Sequence, residues 1–372
     1  MDERIREHAE VLVDWSARIE PGDDVVVAVA ESAHDLAVAV AGALGDRGAN
    51  VVTTYASDEV QRAYLRAHDG DFDPDPAFER SLYEQADSVL ILGGGRNTTA
   101  LADVPDDRRQ AHRRARRSVR EARLASDWVS TVHPTRAHAQ QAGMAFEEYQ
   151  AFVYDAVLRD WAALAEEMAR LKDLLDRGET VRLVRETDDG PDTDLTMSIA
   201  DRTAVNSAAS VAYDSHNLPS GEVFTAPADP EGEVSFDVPM TIDDRPVRDV
   251  HLVFEGGEVV DWSAAQGEAA LTAVIETDAG ARRLGELGIG MNRGIDRPTG
   301  DILFDEKMAG TVHLALGRAY DACLPAGEAG NDSAVHQDLI VDVAGDVVGR
   351  EVRSRLEIDG EVVQRDGVFA WE

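Results

Sequence analysis

Two textures of apolar and polar positions divide the chain. Through the first half, short β-branched runs alternate with stretches whose apolar residues recur at helical spacing. The pattern predicts a helix over residues 4–19, then, after Pro21-Gly22, the extended run DDVVVAVA. HDLAVAVAGALGDRG reads as a helix ending at Gly48, and ANVVTTYAS as the next strand. SVLILGGG and WVSTVHPT repeat the extended signal. Strands interleaved with helices predict a doubly wound, mostly parallel sheet. Residues 146–177 read as one long helical stretch leading into the second half.

From about residue 180 the texture changes. TVRLVRE, DTDLTMSIA, GEVSFDV and DVHLVFEGGEVVDWSA read as strands between Gly, Asp and Pro turns, and Gly256-Gly257 marks a hairpin. One helix is predicted over GEAALTAVIETDAGARRLGELG, followed by more strands. The expected architecture is an α/β N-terminal domain over residues 1–180 and an α+β, strand-rich C-terminal domain over residues 181–372.

Composition sharpens this picture. A hydrophobic share of 44% supports folded cores, while 72 acidic against 36 basic residues give a net charge of −36. The acidic residues are spread along the whole chain, and Lys172 and Lys307 are the only lysines. Such a surface repels itself in dilute buffer, but at ~1 M salt the screening length falls to about 3 Å. The charge therefore reads as adaptation to a salt-rich cytoplasm. Nucleic acid is a poor partner, because affinity there comes from neutralising phosphates. The local exception, DDRRQAHRRARRSVREAR over 106–123, carries arginines around most of a helix, where they can pair with acidic neighbours, including those of a partner subunit. Cys323 is the sole cysteine, so neither an intramolecular disulfide nor a thiolate metal cluster is available. The start, MDERIREHAEVLVDW, lacks a signal-peptide core, and no run approaches the ~20 apolar residues of a membrane span. A soluble cytoplasmic protein is expected.

Candidate chemistry gathers after residue 220. In AVHQDLIVDV an extended chain places His336 and Asp338 on one face, where imidazole and carboxylate can share a cation or simply hydrogen-bond. In TVHLALG, His313 shares its face with the small Thr311, Ala315 and Gly317, which leaves room for an ion or substrate; a satisfied core histidine remains open. Tyr320 lies just beyond, where its phenol can donate to an oxyanion or merely pack. Glu286 stands among Leu284, Leu287 and Ile289 at what reads as a glycine-terminated helix end, and Glu222 opens a strand after Pro-Ser-Gly. Each glutamate alone fits a solvated position in so acidic a chain. Together the three carboxylates and two imidazoles form the hard and borderline ligand set of a two-metal hydrolytic site. GGGRNTTA, after the third predicted strand, lacks phosphate-loop spacing and reads as a tight turn, and neither HExxH nor GxSxG occurs.

SGEVFTAP, DAGARRLGELGIGMN, GDILFDEKMAGTVHLALGRAY and NDSAVHQDLIVDV together resemble, in order and spacing, the signature blocks of the M29 metallopeptidases, the thermophilic aminopeptidase T family. The resemblance is close over the C-terminal half and a matter of texture over the N-terminal half. It implies a C-terminal catalytic domain, a homodimer, and metal ligands at Glu222, Glu286, His313, His336 and Asp338, with the active-site tyrosine at Tyr320. The implied activity is removal of N-terminal residues from short peptides. A water activated by two divalent ions (Co, Zn, Mn or Mg) would attack, with Glu286 assigned as the bridge and Tyr320 as the oxyanion donor. Gln337 departs from the family's usual tryptophan, and the loop 321–335 is shorter than in many relatives. The alternative is a mononuclear Fe(II) ring-cleaving enzyme resembling the dihydroxypyridine dioxygenases, for which His313, His336 and Asp338 alone would suffice.

Overall fold

The computed structural model describes residues 2–188, 190–242 and 245–372, the side chain of Asp106 apart. The chain divides into two units, Met1–Leu158 with Ala209–Pro219 and Arg159–Ala208 with Ser220–Glu372. The division anticipated at residue 180 thus falls before the helix Trp161–Leu175, and an eleven-residue stretch returns to the first unit.

In the first unit, β1 (Asp24–Ala30), β2 (Asn50–Ala56), β3 (Ser88–Gly93) and β4 (Asp127–Val132) pair in parallel in the order β2-β1-β3-β4, and Asn217–Leu218 adds beside β4. Val25, Val26, Val27 and Val29 are all buried, the two-sided burial of an inner parallel strand. The helix His34–Arg47 buries Leu36, Val40 and Leu44 and ends where Gly48 takes a left-handed φ of 76°. The doubly wound sheet is as predicted. The arginine-rich stretch forms two helices, Asp106–Ala115 and Arg117–Leu124, and three of its arginines find partners nearby. Arg116 pairs with Glu79, Arg117 Nε donates to Glu121 at 2.7 Å, and Arg108 Nε donates to the Leu65 carbonyl at 3.0 Å.

The helical chain that ends the first unit's main segment and opens the second departs from the prediction. Residues 146–177 are two helices, Phe146–Val157 and Trp161–Leu175, because Asp160 leaves helical geometry and its carboxylate caps the Ala163 amide at 3.0 Å. The predicted helix over 267–288 ends at Ile275; after a short turn the chain becomes a strand. Asp278 fixes that turn by accepting from the Ala281 and Ala334 amides and the Ser333 hydroxyl.

Two antiparallel sheets follow. One has nine strands among the described residues, including Thr180–Thr187, Gly190–Ser198, Ala228–Phe236 and the hairpin Arg245–Glu255/Glu258–Gln266, which turns at Gly256-Gly257 as expected. The other runs β5 (Val205–Ser207), β6 (Glu222–Thr225), β7 (Leu284–Gly290), β8 (Thr311–Gly317) and β9 (His336–Asp342), each strand beside its predecessor. β7 and β8 are buried at every position, so both faces of this sheet are covered.

Arg185 ties the two sheets together. Its guanidinium is bidentate to Asp192 at 3.0 and 2.7 Å, donates to Asp237 at 2.6 Å and reaches the carbonyl of Asp342 at 3.0 Å. Asp237 in turn accepts the Asp342 amide at 2.9 Å, which pins the end of β9. Arg185 and Asp237 are 1% and 2% exposed, so loss of the cation strands a buried anion. Arg185→Met should destabilise the fold by about 3–5 kcal/mol. Chemical denaturation measures this, and a loss below about 1 kcal/mol would contradict the role given to the network.

Candidate metal centre

Strand alternation selects what faces the site. On one face lie Glu222 and Phe224 of β6, Glu286, Gly288 and Gly290 of β7, His313, Ala315 and Gly317 of β8, and His336, Asp338 and Ile340 of β9. Val223, Leu287, Ile289, Val312, Leu314, Leu339 and Val341 take the other face and are buried. As the sequence suggested, His313 is surrounded by small neighbours. A Cβ at Gly288 would overlap the His313 ring, so only glycine admits the imidazole there. Gln337 faces away from His336 and Asp338, as expected, and its amide donates to the Asp338 carbonyl at 3.0 Å.

Glu286 reaches this face through a bulge. Leu284 is opposite Leu316, yet Glu286, two residues on, is opposite Ala315. The register shift at Gly285 turns a carboxylate that would otherwise share the face of Leu284. Glu286 is therefore a strand residue, not the helix end predicted for it. Gly285 itself has no room for a side chain, because a Cβ would meet the carbonyl oxygens of Gly317 and Arg318.

The five predicted ligand residues converge. Glu286 lies between the two imidazoles, with Oε1 3.3 Å from His313 Nε2 and Oε2 3.1 Å from His336 Nε2. Glu222 Oε2 is 3.6 Å from His313 Nε2, and Asp338 Oδ1 is 3.6 Å from His336 Nε2. Two overlapping groups result, Glu222–Glu286–His313 and Glu286–His336–Asp338, each with donor atoms within 4.8 Å of one another. His336 Nδ1 donates to the Arg318 carbonyl at 2.8 Å, which aims Nε2 at the carboxylates. Among the described residues, Glu222 Oε2, Asp338 Oδ1 and His313 Nδ1 are buried without a hydrogen-bond partner. Unsatisfied anionic oxygens beside imidazole nitrogens, with no thiolate, fit a borderline or hard divalent cation.

Tyr320 stands at the rim, 47% exposed, its ring 5.0 Å from that of His336 and 5.5 Å from that of Phe224. Burial of the phenol and the carboxylates near it push its ionisation far up, so the hydroxyl keeps its proton. Two further residues join the centre that the motif reading passed over. Lys307 is fully buried with Nζ 3.5 Å from Glu222 Oε1, and it is paired with the partly exposed Glu306. Their signal was available: a Glu-Lys pair stands inside GDILFDEKMAGTVHL, in a chain almost without lysine.

The electrostatics are those of anions crowded away from water. Burial pushes Glu222 above the usual carboxylate range, and it pushes Glu306 to about 8. Burial also opposes charge on Glu286 and Asp338, but the adjacent imidazoles prevail and hold both low. Conversely, burial disfavours imidazolium, yet the carboxylates outweigh it and raise His313 to about 9 and His336 to about 11. Lys307 stays protonated for the same reason.

Known proteins resemble this chain along most of its length. A family model described as thermophilic metalloprotease (M29) matches residues 1–369. Aminopeptidase T of Thermus aquaticus is 28% identical over 91% of this chain and 92% of its own. Aminopeptidase PepS of Streptococcus thermophilus is 27% identical, covering 91% and 92% respectively. The solved structure of wild-type AmpT from Thermus thermophilus has the same fold, with a TM-score of 0.81 at 24% identity over 99% of both chains.

Raised imidazole pKa values fix the sign of a pH dependence. Protonated His313 and His336 stabilise the metal-free fold fully below about 6.5, and this contribution is lost as pH rises through about 9 and then about 11. The melting temperature of chelator-treated protein should therefore fall steadily between pH 6.5 and 9.5, with a shallower fall in His313→Ala. An added divalent cation, which binds neutral imidazole, should reverse the trend. A flat profile in the metal-free protein would refute the assignment.

Proposed function

The chain belongs to the M29 family of thermophilic metalloproteases, and from that premise we propose that it is an aminopeptidase acting on short peptides with two divalent cations. Glu222, Glu286, His313, His336 and Asp338 would hold them. The observation that carries this reading is Glu286: each of its oxygens faces a different histidine, so one carboxylate belongs to both ligand groups. Bound there, the cations would supply an activated water near neutral pH, a polarised scissile carbonyl and a partner for the free α-amine. Cobalt, zinc, manganese and magnesium all suit the oxygen and nitrogen donors to differing degrees.

The chain's own residues do the rest. Buried Glu222 and His313 anchor one side, and His336 with Asp338 the other, while the Arg318 carbonyl holds the His336 tautomer. Tyr320, beside His336, would donate its retained proton as a hydrogen bond to the oxyanion of the tetrahedral intermediate. A mononuclear ferrous site on His313, His336 and Asp338 is the weaker reading. It leaves Glu222 and Glu286 as buried carboxylates with no function, although both face the histidines.

Tyr320→Phe should lower kcat on aminoacyl amides by about 10²–10³-fold with metal content unchanged. His336→Ala should lose metal, as read by elemental analysis. Loss of metal in both variants would defeat this division of roles, and no cleavage of any aminoacyl amide by folded, metal-supplemented protein would defeat the peptidase reading. We further propose that the acidic surface belongs to a salt-rich medium. Melting temperature and activity should both climb from dilute buffer to ~1 M KCl, and a decline in both would refute the adaptation.

A further inference from the structure

All but two of the 36 basic residues are arginine. Of the two lysines, Lys172 pairs on its own helix with Asp176 at 2.5 Å, one turn on. Lys307 is instead wholly enclosed in the candidate metal centre. A lysine kept there, in a chain otherwise committed to arginine, points to a need for a compact, non-planar point charge. That charge is not shared evenly. Its ammonium is 3.5 Å from Glu222, in the group with Glu286 and His313. Among the described residues, neither lysine nor arginine makes an ion pair with Glu286, Asp338 or any other member of the second group. Glu306 partly offsets the ammonium but does not remove it from Glu222.

A fixed cation beside a ligand carboxylate lowers what that carboxylate can offer a second cation, and in a buried site little solvent screens the repulsion. We propose that Lys307 makes the two cation subsites unequal: Glu286–His336–Asp338 fills first and tightly, and Glu222–Glu286–His313 fills second and more weakly. The inference rests on the two-cation reading above and adds an order of filling with a residue responsible for it. Lys307 is a positioning residue here; it touches a ligand and not the substrate. The weaker subsite is the exchangeable one, so the supply of divalent metal controls how much of the protein carries both ions.

Calorimetric titration of chelated, full-length protein with zinc, at constant high KCl, tests this. The wild type should show two steps per chain, with affinities about tenfold or more apart. His313→Ala should abolish the weaker step and Asp338→Ala the tighter one. Lys307→Met, which keeps chain length and removes the charge, should tighten the second step about tenfold while leaving the first within about threefold. A lysine serving only to stabilise the fold would not tighten it. Two indistinguishable steps in the wild type, or a second step unchanged or weakened in Lys307→Met, would overturn the proposal. A single ion per chain in the wild type would overturn the two-cation reading beneath it, which separates the two failures. Should Lys307→Met not fold, wild type and His313→Ala still decide: loss of the tight step in His313→Ala overturns the assignment, and loss of the weak one supports it.

Discussion

A carboxylate buried without a cation costs a fold several kcal/mol, and this centre buries Glu222 and Glu286 and partly buries Glu306 and Asp338. Most of what is unusual around them follows from that constraint. The imidazoles are drawn into the protonated form, the lysine is buried, and Glu286 is gripped from both sides. Small residues at Gly288, Gly290, Ala315 and Gly317 clear the face so that long polar side chains can meet above it. The Leu, Ile and Val residues of the opposite face supply the apolar burial that offsets the expense. Arg185 applies the same rule at the end of β9, where Asp192, Asp237 and a carbonyl of Asp342 converge on one guanidinium. In both places the enclosed carboxylates stand beside a cationic side chain, whereas the buried Asp305 and Asp342 are held by backbone amides instead.

How far this could be read from the chain depended on whether the deciding contact was local. Alternation alone placed His313 among small residues and set Gln337 opposite His336 and Asp338, because the period of a strand is a property of its own backbone. The parallel sheet was legible for a related reason, since strand and helix signals alternate cleanly before residue 158. Glu286 was not legible as a strand residue. In GELGIG the glycines at 285, 288 and 290 suit a helix terminus as well as a strand, and pairing with β6 and β8 decides the matter. The bulge that aims the carboxylate depends on carbonyls of Gly317 and Arg318, some thirty residues away. Likewise Asp278, which ends the helix after Ile275, acts through Ser333 and Ala334 from a distant loop.

Glu306 and Lys307 expose a different limit. They fall in a short turn after the helix Ile302–Asp305, where no periodicity assigns a face. Only rarity marks them: lysine is nearly absent from the chain, and one of its two instances is here. Composition became informative about the site because the rest of the chain is so uniform in its choice of cation.

The same uniformity raises the question of how a chain with 72 carboxylates would direct a metal to the five residues proposed to hold it. Exposed carboxylates stay hydrated, and at high salt the surrounding monovalent cations screen them, so their pull on a divalent ion is weak. Many of them are also engaged by arginine, as Asp103 is by Arg62 and Arg66. The centre differs in being largely buried and in offering nitrogen. Burial weakens screening around Glu222, Glu286 and His313, and two imidazoles favour borderline transition metals over magnesium, which prefers to keep its water. Charge would therefore draw cations to the whole surface without discrimination, while on the two-cation reading His313 and His336, fixed by Gly288 on one side and the Arg318 carbonyl on the other, would decide which cation is retained and where.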